Sequence, residues 1–144
     1  MQPGVTDLSH LSQVISHALA PAFLLGAVAG FVSILVGRIN GIIDRVRTLN
    51  MIGDGDSPRS CLKSDIPRLK RRARLLNAAI RLALASGIST TLLVVLAFAS
   101  AFLGLRHEPV AGALFMLALG LLGAALFTFA REVWVGLNEF DHYA

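Results

Sequence analysis

Histidine and carboxylate side chains are the first residues of this 144-residue sequence that could do chemistry. His10 and His17 are seven residues apart and share a helix face with Asp7 nearby, and His107 precedes Glu108. Imidazole and carboxylate groups gathered on one side of a membrane could bind zinc or copper. Their spacing matches no established metal motif. The sequence therefore predicts no metal site, with His10, His17 and His107 as the candidates if one exists.

Hydroxyl side chains form a second polar group, inside otherwise apolar segments. Ser86 and Thr90 are four residues apart on one helix face with Ser89 beside them, and Ser33 lies in an earlier apolar segment. Such hydroxyls usually donate to the carbonyl four residues earlier. The alternative is a hydrated passage in which Ser33, Ser86, Ser89 and Thr90 line a pore.

Catalytic signatures are missing from the sequence. It contains no P-loop, dinucleotide glycine signature, nucleophile elbow or metalloprotease helix. The segment GDGDS at 53–57 begins like a calcium loop but lacks the later ligands, so it predicts a turn. The single cysteine, Cys61, excludes an internal disulfide and a multi-cysteine metal cluster. We expect no enzymatic activity, no cofactor and no small-molecule substrate.

The composition indicates the elements that carry these residues. The chain is 55% hydrophobic and 15% charged, whereas about 25% charged residues is usual in a soluble domain. Uncharged segments at 18–37, 82–105 and 109–130 each reach the roughly 20 residues that a membrane-spanning helix needs. The predicted fold class is an all-α membrane protein with three transmembrane helices.

Basic residues predict the orientation of these helices. Of the 13 Lys and Arg residues, all except Arg106 and Arg131 lie between Arg38 and Arg81. Short basic loops stay on the cytoplasmic side, so we expect the amino terminus outside and the carboxyl terminus in the cytoplasm. Nucleic-acid binding is not favoured, because no aromatic-interleaved or helix-turn-helix pattern accompanies the basic residues.

Two heptad seams predict a helical hairpin that continues beyond the membrane. The apolar spacing 4-3 runs without a phase change into the charged part of the first helix and repeats in the second. A turn at 51–62 would join the two arms into an antiparallel, coiled-coil-like cytoplasmic hairpin, with Asp44 of the first arm near Arg71 or Arg72 of the second. The first seam is Val28, Val32, Leu35, Ile39, Ile42, Val46 and Leu49, and the second is Leu62, Ile66, Leu69, Ala73, Leu76, Ile80, Ala83 and Gly87.

The resulting predicted organisation is a single membrane domain. Residues 7–20 form an outer amphipathic helix that bends at Pro21, and 21–50 form the first span with its cytoplasmic arm. Residues 63–105 form the second arm and span, 110–130 the third span, and 131–144 a cytoplasmic tail. Arg131 and Glu132 should lie at the inner depth of Arg38 and Arg81, where they would anchor the bundle or line an inner mouth.

Two surfaces of this arrangement predict partners. The basic arm is either a positive-inside signal with a solvated face or a platform for anionic lipid headgroups, carried by Arg68, Lys70, Arg71, Arg72, Arg74 and Arg81. A stripe of small residues in the first span would let helix backbones approach closely and so favours a homo-oligomer. That stripe is Gly26, Gly30, Ser33, Gly37 and Gly41.

Several segments resemble one family. LVGRINGIIDRVRTL at 35–49, RRARLLNAAIRLA at 71–83, AREVWVGLNEF at 130–140 and APAFLLGA at 20–27 are similar to domain of unknown function 2721, a family of small bacterial inner-membrane proteins. The resemblance implies three spans in a bacterial inner membrane and supplies no activity. It nominates one polar set for mutation: Arg38, Asp44, Arg45, Arg47, Arg131 and Glu132.

The function expected from these patterns is that of a non-enzymatic, homo-oligomeric structural or interaction protein with a basic cytoplasmic hairpin. A passive oligomeric ion channel lined by the hydroxyls of spans one and two is the first alternative. An accessory subunit of a larger membrane complex is the second.

Overall fold

The structure is a computed structural model that describes residues 3–52, 60–103 and 108–137, with side chains described at 19–52, 62–100 and 109–137. Its elements are a long helix α1 (Pro3–Asn50), a 3₁₀ helix (Ser60–Asp65), helix α2 (Ile66–Leu103) and helix α3 (Glu108–Leu137). Apart from a turn at 51–52, every described residue is helical. The all-helical prediction is confirmed.

Three helices are long and apolar enough to cross a membrane. The qualifying stretches are Leu19–Asn50, Leu62–Ser100 and Pro109–Leu137. In the most apolar window of each, between 11% and 28% of the residues are buried inside the protein. Most of these apolar side chains therefore face outward, as they do when lipid is the solvent.

The seam residues of α1 and α2 pack against each other. Leu35, Ile39 and Ile42 of α1 form a buried cluster with Leu76 and Ala79 of α2. Further along the pair, a Cβ added at Gly87 would lie 3.3 Å from Cγ1 of Val28. Later positions of α1 thus meet earlier positions of α2, so the two helices run in opposite directions. The spacing of apolar residues correctly selected the faces that meet.

Helix α3 packs on another face of α2. Ala118 and Ala125 of α3 are fully buried there, and small side chains at such positions let helix backbones approach. The hydroxyl of Ser86 on α2 donates to the carbonyl oxygen of Ala118 at 2.7 Å. The third helix also reaches α1, where the rings of Phe31 and Phe129 make an edge-to-face contact at 5.6 Å.

The elements differ from the expected ranges at three places. The helix α1 continues through Pro21, so the expected outer segment and the first span belong to one helix. The 3₁₀ helix occupies the place given to the end of the turn and the start of the second arm. Helix α3 runs to Leu137, with no proline after Ala130 to interrupt it, and Glu132 is therefore helical.

Some predicted features lie outside the described residues. They include the GDGDS turn at 53–57, the residue His107 and the side chains of His10, His17 and Cys61. Among the residues that are described, no group of three His, Cys, Asp or Glu side chains could hold a metal ion. The prediction about metal therefore stays a prediction.

Candidate functional site: a glutamate buried between two arginines

Glu132 is the most deeply buried charged side chain of the described residues, with no exposed surface. It lies on the face of α3 that also presents the buried Ala118 and Ala125 and the half-buried Phe129. These residues follow helical spacing, so the helix that packs Ala118 and Ala125 against α2 also turns Glu132 inward. A carboxylate removed from water needs a charged or hydrogen-bonding partner to offset its lost hydration.

Arg72 of α2 is the closer partner. Its Nε donates to Oε1 of Glu132 at 2.9 Å, and its Nη2 lies 2.9 Å from the same oxygen. The Arg72 side chain is 20% exposed, so the pair is largely shielded from solvent. Charge-assisted bonds of this length are about twice as strong as bonds between neutral groups.

Arg38 of α1 approaches the other carboxylate oxygen. Its Nη2 lies 3.2 Å from Oε2 of Glu132, and its side chain is 38% exposed. The guanidinium also sits over the ring of Phe129, with Cζ 5.3 Å from the ring centre. Arg38 is therefore held by a carboxylate and an aromatic face of the same helix.

Arg38 and Oε2 of Glu132 are close enough for an ion pair, but no N–H of Arg38 points at this oxygen, so they do not form a hydrogen bond. Oε2 is buried and has no hydrogen-bond partner among the described residues, although the Arg38 Nη2 is 3.2 Å away. The two observations agree if the attraction there is coulombic and no N–H points at the oxygen. One oxygen of the buried carboxylate thus lacks a hydrogen-bond donor among the described residues, which makes the Arg38 side of the junction more easily rearranged than the Arg72 side.

Gly136 provides the space for Arg72. It lies one helical turn after Glu132, and a Cβ added there would come within 2.9 Å of Nη2 and 3.1 Å of Cζ of Arg72. The guanidinium therefore crosses α3 directly over the backbone at Gly136. A larger residue here would require the flexible end of the Arg72 side chain to shift.

The junction joins all three helices through one carboxylate. Its formal charge is +1, since two guanidiniums share a single carboxylate. Breaking such a buried pair by removing one partner is strongly destabilising, while the intact pair contributes less. The arrangement is suited to fixing the relative positions of the helices. Intramembrane or membrane-interface charges of this kind also mark functional sites by default.

Comparison with known families adds one result to this geometry. The family model described as "Protein of unknown function (DUF2721)" matches residues 18–141, which is most of the chain. The chain belongs to the DUF2721 family. No curated protein matches the sequence, and no solved structure matches it either.

The DUF2721 motif residues divide into two groups in the structure. Arg38 and Glu132, drawn from separate sequence motifs, meet in the junction. The remaining four lie exposed on their helices, and Asp44 pairs with Arg47 one turn later at 3.8 Å. The expected ion pair between Asp44 and the second arm is wrong, since Asp44 faces away from α2. The exposed group is Asp44, Arg45, Arg47 and Arg131.

The residues expected to contact lipid headgroups are also divided. Arg72 is turned toward Glu132, and the other five basic residues are exposed. Their accessibility is compatible with headgroup contact, which stays a prediction. The exposed set is Arg68, Lys70, Arg71, Arg74 and Arg81.

The small-residue stripe of α1 is open. Each of its members is exposed, and a Cβ added at Gly26, Gly30, Gly37 or Gly41 would find no atom within 4 Å. The stripe lies roughly opposite the seam that meets α2, because each residue turns the helix by about 100°. Neither α2 nor α3 covers this face.

The hydroxyls are distributed over two surfaces. Ser86, Ser89 and Thr90 are buried on α2, and Ser33 is exposed on α1. Thr90 donates to the carbonyl of Ser86 at 2.9 Å, as expected for a hydroxyl in a span. Ser86 instead bonds across to α3. Within one chain Ser33 does not join the other three, so a shared pore would require several copies.

Sequence reasoning missed the partnership of Arg72 and Glu132. It placed Arg72 among the residues that contact lipid headgroups. One signal was available: Arg72 lies between Leu69 and Leu76 at spacings of three and four, which sets it beside the seam. A second signal was Gly136, four residues after Glu132 in a mostly apolar helix.

Proposed function

We propose that this DUF2721 chain is a non-enzymatic, homo-oligomeric protein of the bacterial inner membrane with a structural or interaction role. Its first two helices would extend past the inner membrane surface as a basic, antiparallel hairpin. The observation that carries the oligomer is the open stripe of small residues on α1, where a Cβ at four glycines meets nothing within 4 Å. Close helix approach through such residues is a common basis of association in lipid.

The packed seams support the hairpin part of the proposal. The buried cluster of Leu35, Ile39, Ile42, Leu76 and Ala79 overlaps the region in which charged residues are exposed on the outer faces. Apolar contact inside and charge outside is the pattern of a helix pair in water, whereas a lipid-exposed pair would not carry several charges on its surface. The positive-inside rule places this region in the cytoplasm.

The oligomer is tested by filling the stripe. Gly30→Leu combined with Gly37→Leu should convert the purified protein toward monomer, because the backbones can no longer approach. Gly120→Leu with Gly123→Leu is the matched control, since these α3 glycines also have no atom within 4 Å of an added Cβ. Light scattering in mild detergent and crosslinking in native membranes measure the state. A wild-type chain that is strictly monomeric in both measurements contradicts the proposal.

A passive channel formed by several copies is the second candidate. It is favoured by Ser33, whose hydroxyl is exposed on α1. Purified protein in liposomes should then pass ions above the level of empty vesicles, and Ser33→Val should reduce that flux. Absence of flux removes the channel and leaves the oligomer proposal standing. The accessory-subunit alternative predicts co-purifying proteins in a mild-detergent pulldown.

A further inference from the structure

A groove opens between α1 and α2 on the side away from α3. It has a volume of about 640 Å³ and is lined almost entirely by apolar atoms, within the roughly 300–1,000 Å³ of typical small-molecule sites. Its walls come from residues 25–32 of α1 and 84–92 of α2. Ala29 and Gly87 leave room there, because neither carries a large side chain. The groove is therefore an open apolar cleft on the outer surface of the helix pair.

One exposed stripe of α2 leads from a basic region into this groove. Its members follow the 3-4 spacing of a single helix face, and all are exposed. The residues change from polar to apolar between Arg81 and Leu84, where the groove begins. Neither Arg74 nor Arg81 makes an ion pair with a described residue, so both guanidiniums have unused donors. The stripe is Arg74, Asn77, Arg81, Leu84, Ile88 and Thr91.

The layout of this stripe matches an anionic phospholipid. From Arg81 to Leu92 the helix rises about 16 Å at 1.5 Å per residue, close to half of the roughly 30 Å hydrocarbon core. An acyl chain in the groove would thus stay within one leaflet while its phosphate met the arginines. Basic pockets between membrane helices on the cytoplasmic side bind anionic headgroups in this way.

A second copy of the chain fits this face less well. A two-fold dimer brings the same patch of both subunits together, which would place Arg74 and Arg81 against the same cations of the partner. The open glycine stripe of α1 carries no such charge. An anionic molecule is attracted by the positive charge of this face, whereas a second copy of the chain would be repelled by it.

We propose that the groove between α1 and α2, together with Arg74 and Arg81, binds one phospholipid with an anionic headgroup. The phosphate accepts hydrogen bonds from the two guanidiniums, and one acyl chain lies along Ala29, Gly87 and Ile88. The proposal rests on the proposed membrane placement and needs no oligomer.

The headgroup part is tested by native mass spectrometry of the full chain in detergent. The protein is incubated with equal amounts of phosphatidylglycerol and phosphatidylcholine of the same acyl chains. Wild type should retain phosphatidylglycerol preferentially, and Arg81→Gln or Arg74→Gln should each lower that preference about fivefold, as expected for roughly 1 kcal/mol per basic residue. Arg45→Gln and Arg131→Gln remove the same charge from exposed positions of α1 and α3 and should leave the preference unchanged.

The groove part is tested by filling it. Ala29→Leu should reduce retention of dioleoyl-phosphatidylglycerol but not of the dihexanoyl form, whose chains are too short to need the groove. Ala27→Leu adds the same volume at an exposed position outside the groove and serves as the control.

Three outcomes overturn this proposal. Equal losses for all four arginine variants would show general electrostatic attraction without a site. No effect of Ala29→Leu on the long-chain lipid would leave the groove without a lipid. A change in oligomeric state with Ala29→Leu would assign the groove to a second copy. Because lipid retention is measured on variants of Arg74, Arg81 and Ala29 and oligomerisation on variants of the α1 glycines, each proposal can fail without the other.

Discussion

At the residue scale, the molecule is defined by one carboxylate. Glu132 is fully buried, and it is bound on one oxygen by Arg72 at 2.9 Å and approached on the other by Arg38 at 3.2 Å. The two sides differ in quality, because only the Arg72 side has hydrogen-bond geometry. Glu132 is therefore held mainly by Arg72. Both arginines depend on its charge for their positions.

Glu132→Gln tests this dependence. We expect the free energy of unfolding to fall by about 3 kcal/mol, because two guanidiniums lose their shared counter-charge while Arg72 stays largely enclosed. Denaturant titration of the purified protein in mixed micelles measures the change. Asp44→Asn is the control, since its exposed pair with Arg47 should contribute about 1 kcal/mol or less. Equal losses in the two variants would contradict a special role for Glu132.

Gly136→Ala tests the space beneath Arg72. The new methyl group would lie 2.9 Å from Nη2, so the guanidinium has to move and its bonds to Glu132 weaken. We expect a lower thermal midpoint than for Gly120→Ala, where nothing lies within 4 Å of the new Cβ. Both changes gain helix propensity of up to about 1 kcal/mol, so their difference isolates the contact. A higher midpoint for Gly136→Ala than for Gly120→Ala would contradict the close approach.

At the element scale, α2 is the helix on which the others assemble. Its seam face meets α1 through the cluster of Leu76 and Ala79 with Leu35, and another face meets the small residues of α3. The hydrogen bond from Ser86 to the carbonyl of Ala118 fixes α3 along the α2 axis. The Arg72 pair adds a second fixed point fourteen residues away on each helix.

Ser86→Ala tests the hydrogen bond between Ser86 and the carbonyl of Ala118. The expected loss is about 0.6 kcal/mol, with about 1.7 kcal/mol as the upper range for bonds between membrane helices. Thr90→Val should cost less, because that hydroxyl bonds only within its own helix. Unfolding of both variants in mixed micelles gives the comparison. A larger loss for Thr90→Val would mean that Ser86 does not set the position of α3.

The elements also show where sequence patterns suffice. The heptad spacing through Leu35, Ile39 and Ile42 correctly predicted which face of α1 is buried, because a seam is a property of one helix at a time. The rotation of α3 was not predictable in this way. Its sequence is apolar on nearly all sides, so no stripe distinguishes the face that carries Glu132 from the exposed faces.

The charged junction was harder still to predict. Arg38 and Glu132 belong to distant motifs, and Arg72 is one of several arginines in RLKRRARLLNAAIR. Which arginine turns inward depends on how α2 and α3 cross. The spacing of residues within one helix does not predict that crossing. The small-residue stripe of α1 was predicted to be a packing surface. The structure leaves it uncovered, so this stays a prediction.

At the scale of the whole molecule, the orientation in the membrane governs every proposed contact. We expect Asp56→Cys to react with a thiol reagent only from the cytoplasmic side and His107→Cys only from the outer side, both in a Cys61→Ser background. The reason is the concentration of basic residues between Arg38 and Arg81. Labelling of intact cells and of inverted vesicles makes the measurement. Reaction of both sites from the same side would contradict the arrangement of spans.

The shared carboxylate has a consequence for how the protein is made. Arg38 and Arg72 are synthesised before Glu132, which lies near the end of the third helix. Until that helix arrives, the nascent pair of helices holds two cations without the anion that later separates them, and their repulsion opposes close contact. Synthesis of α3 supplies the missing charge, so final closure of the bundle waits for this helix.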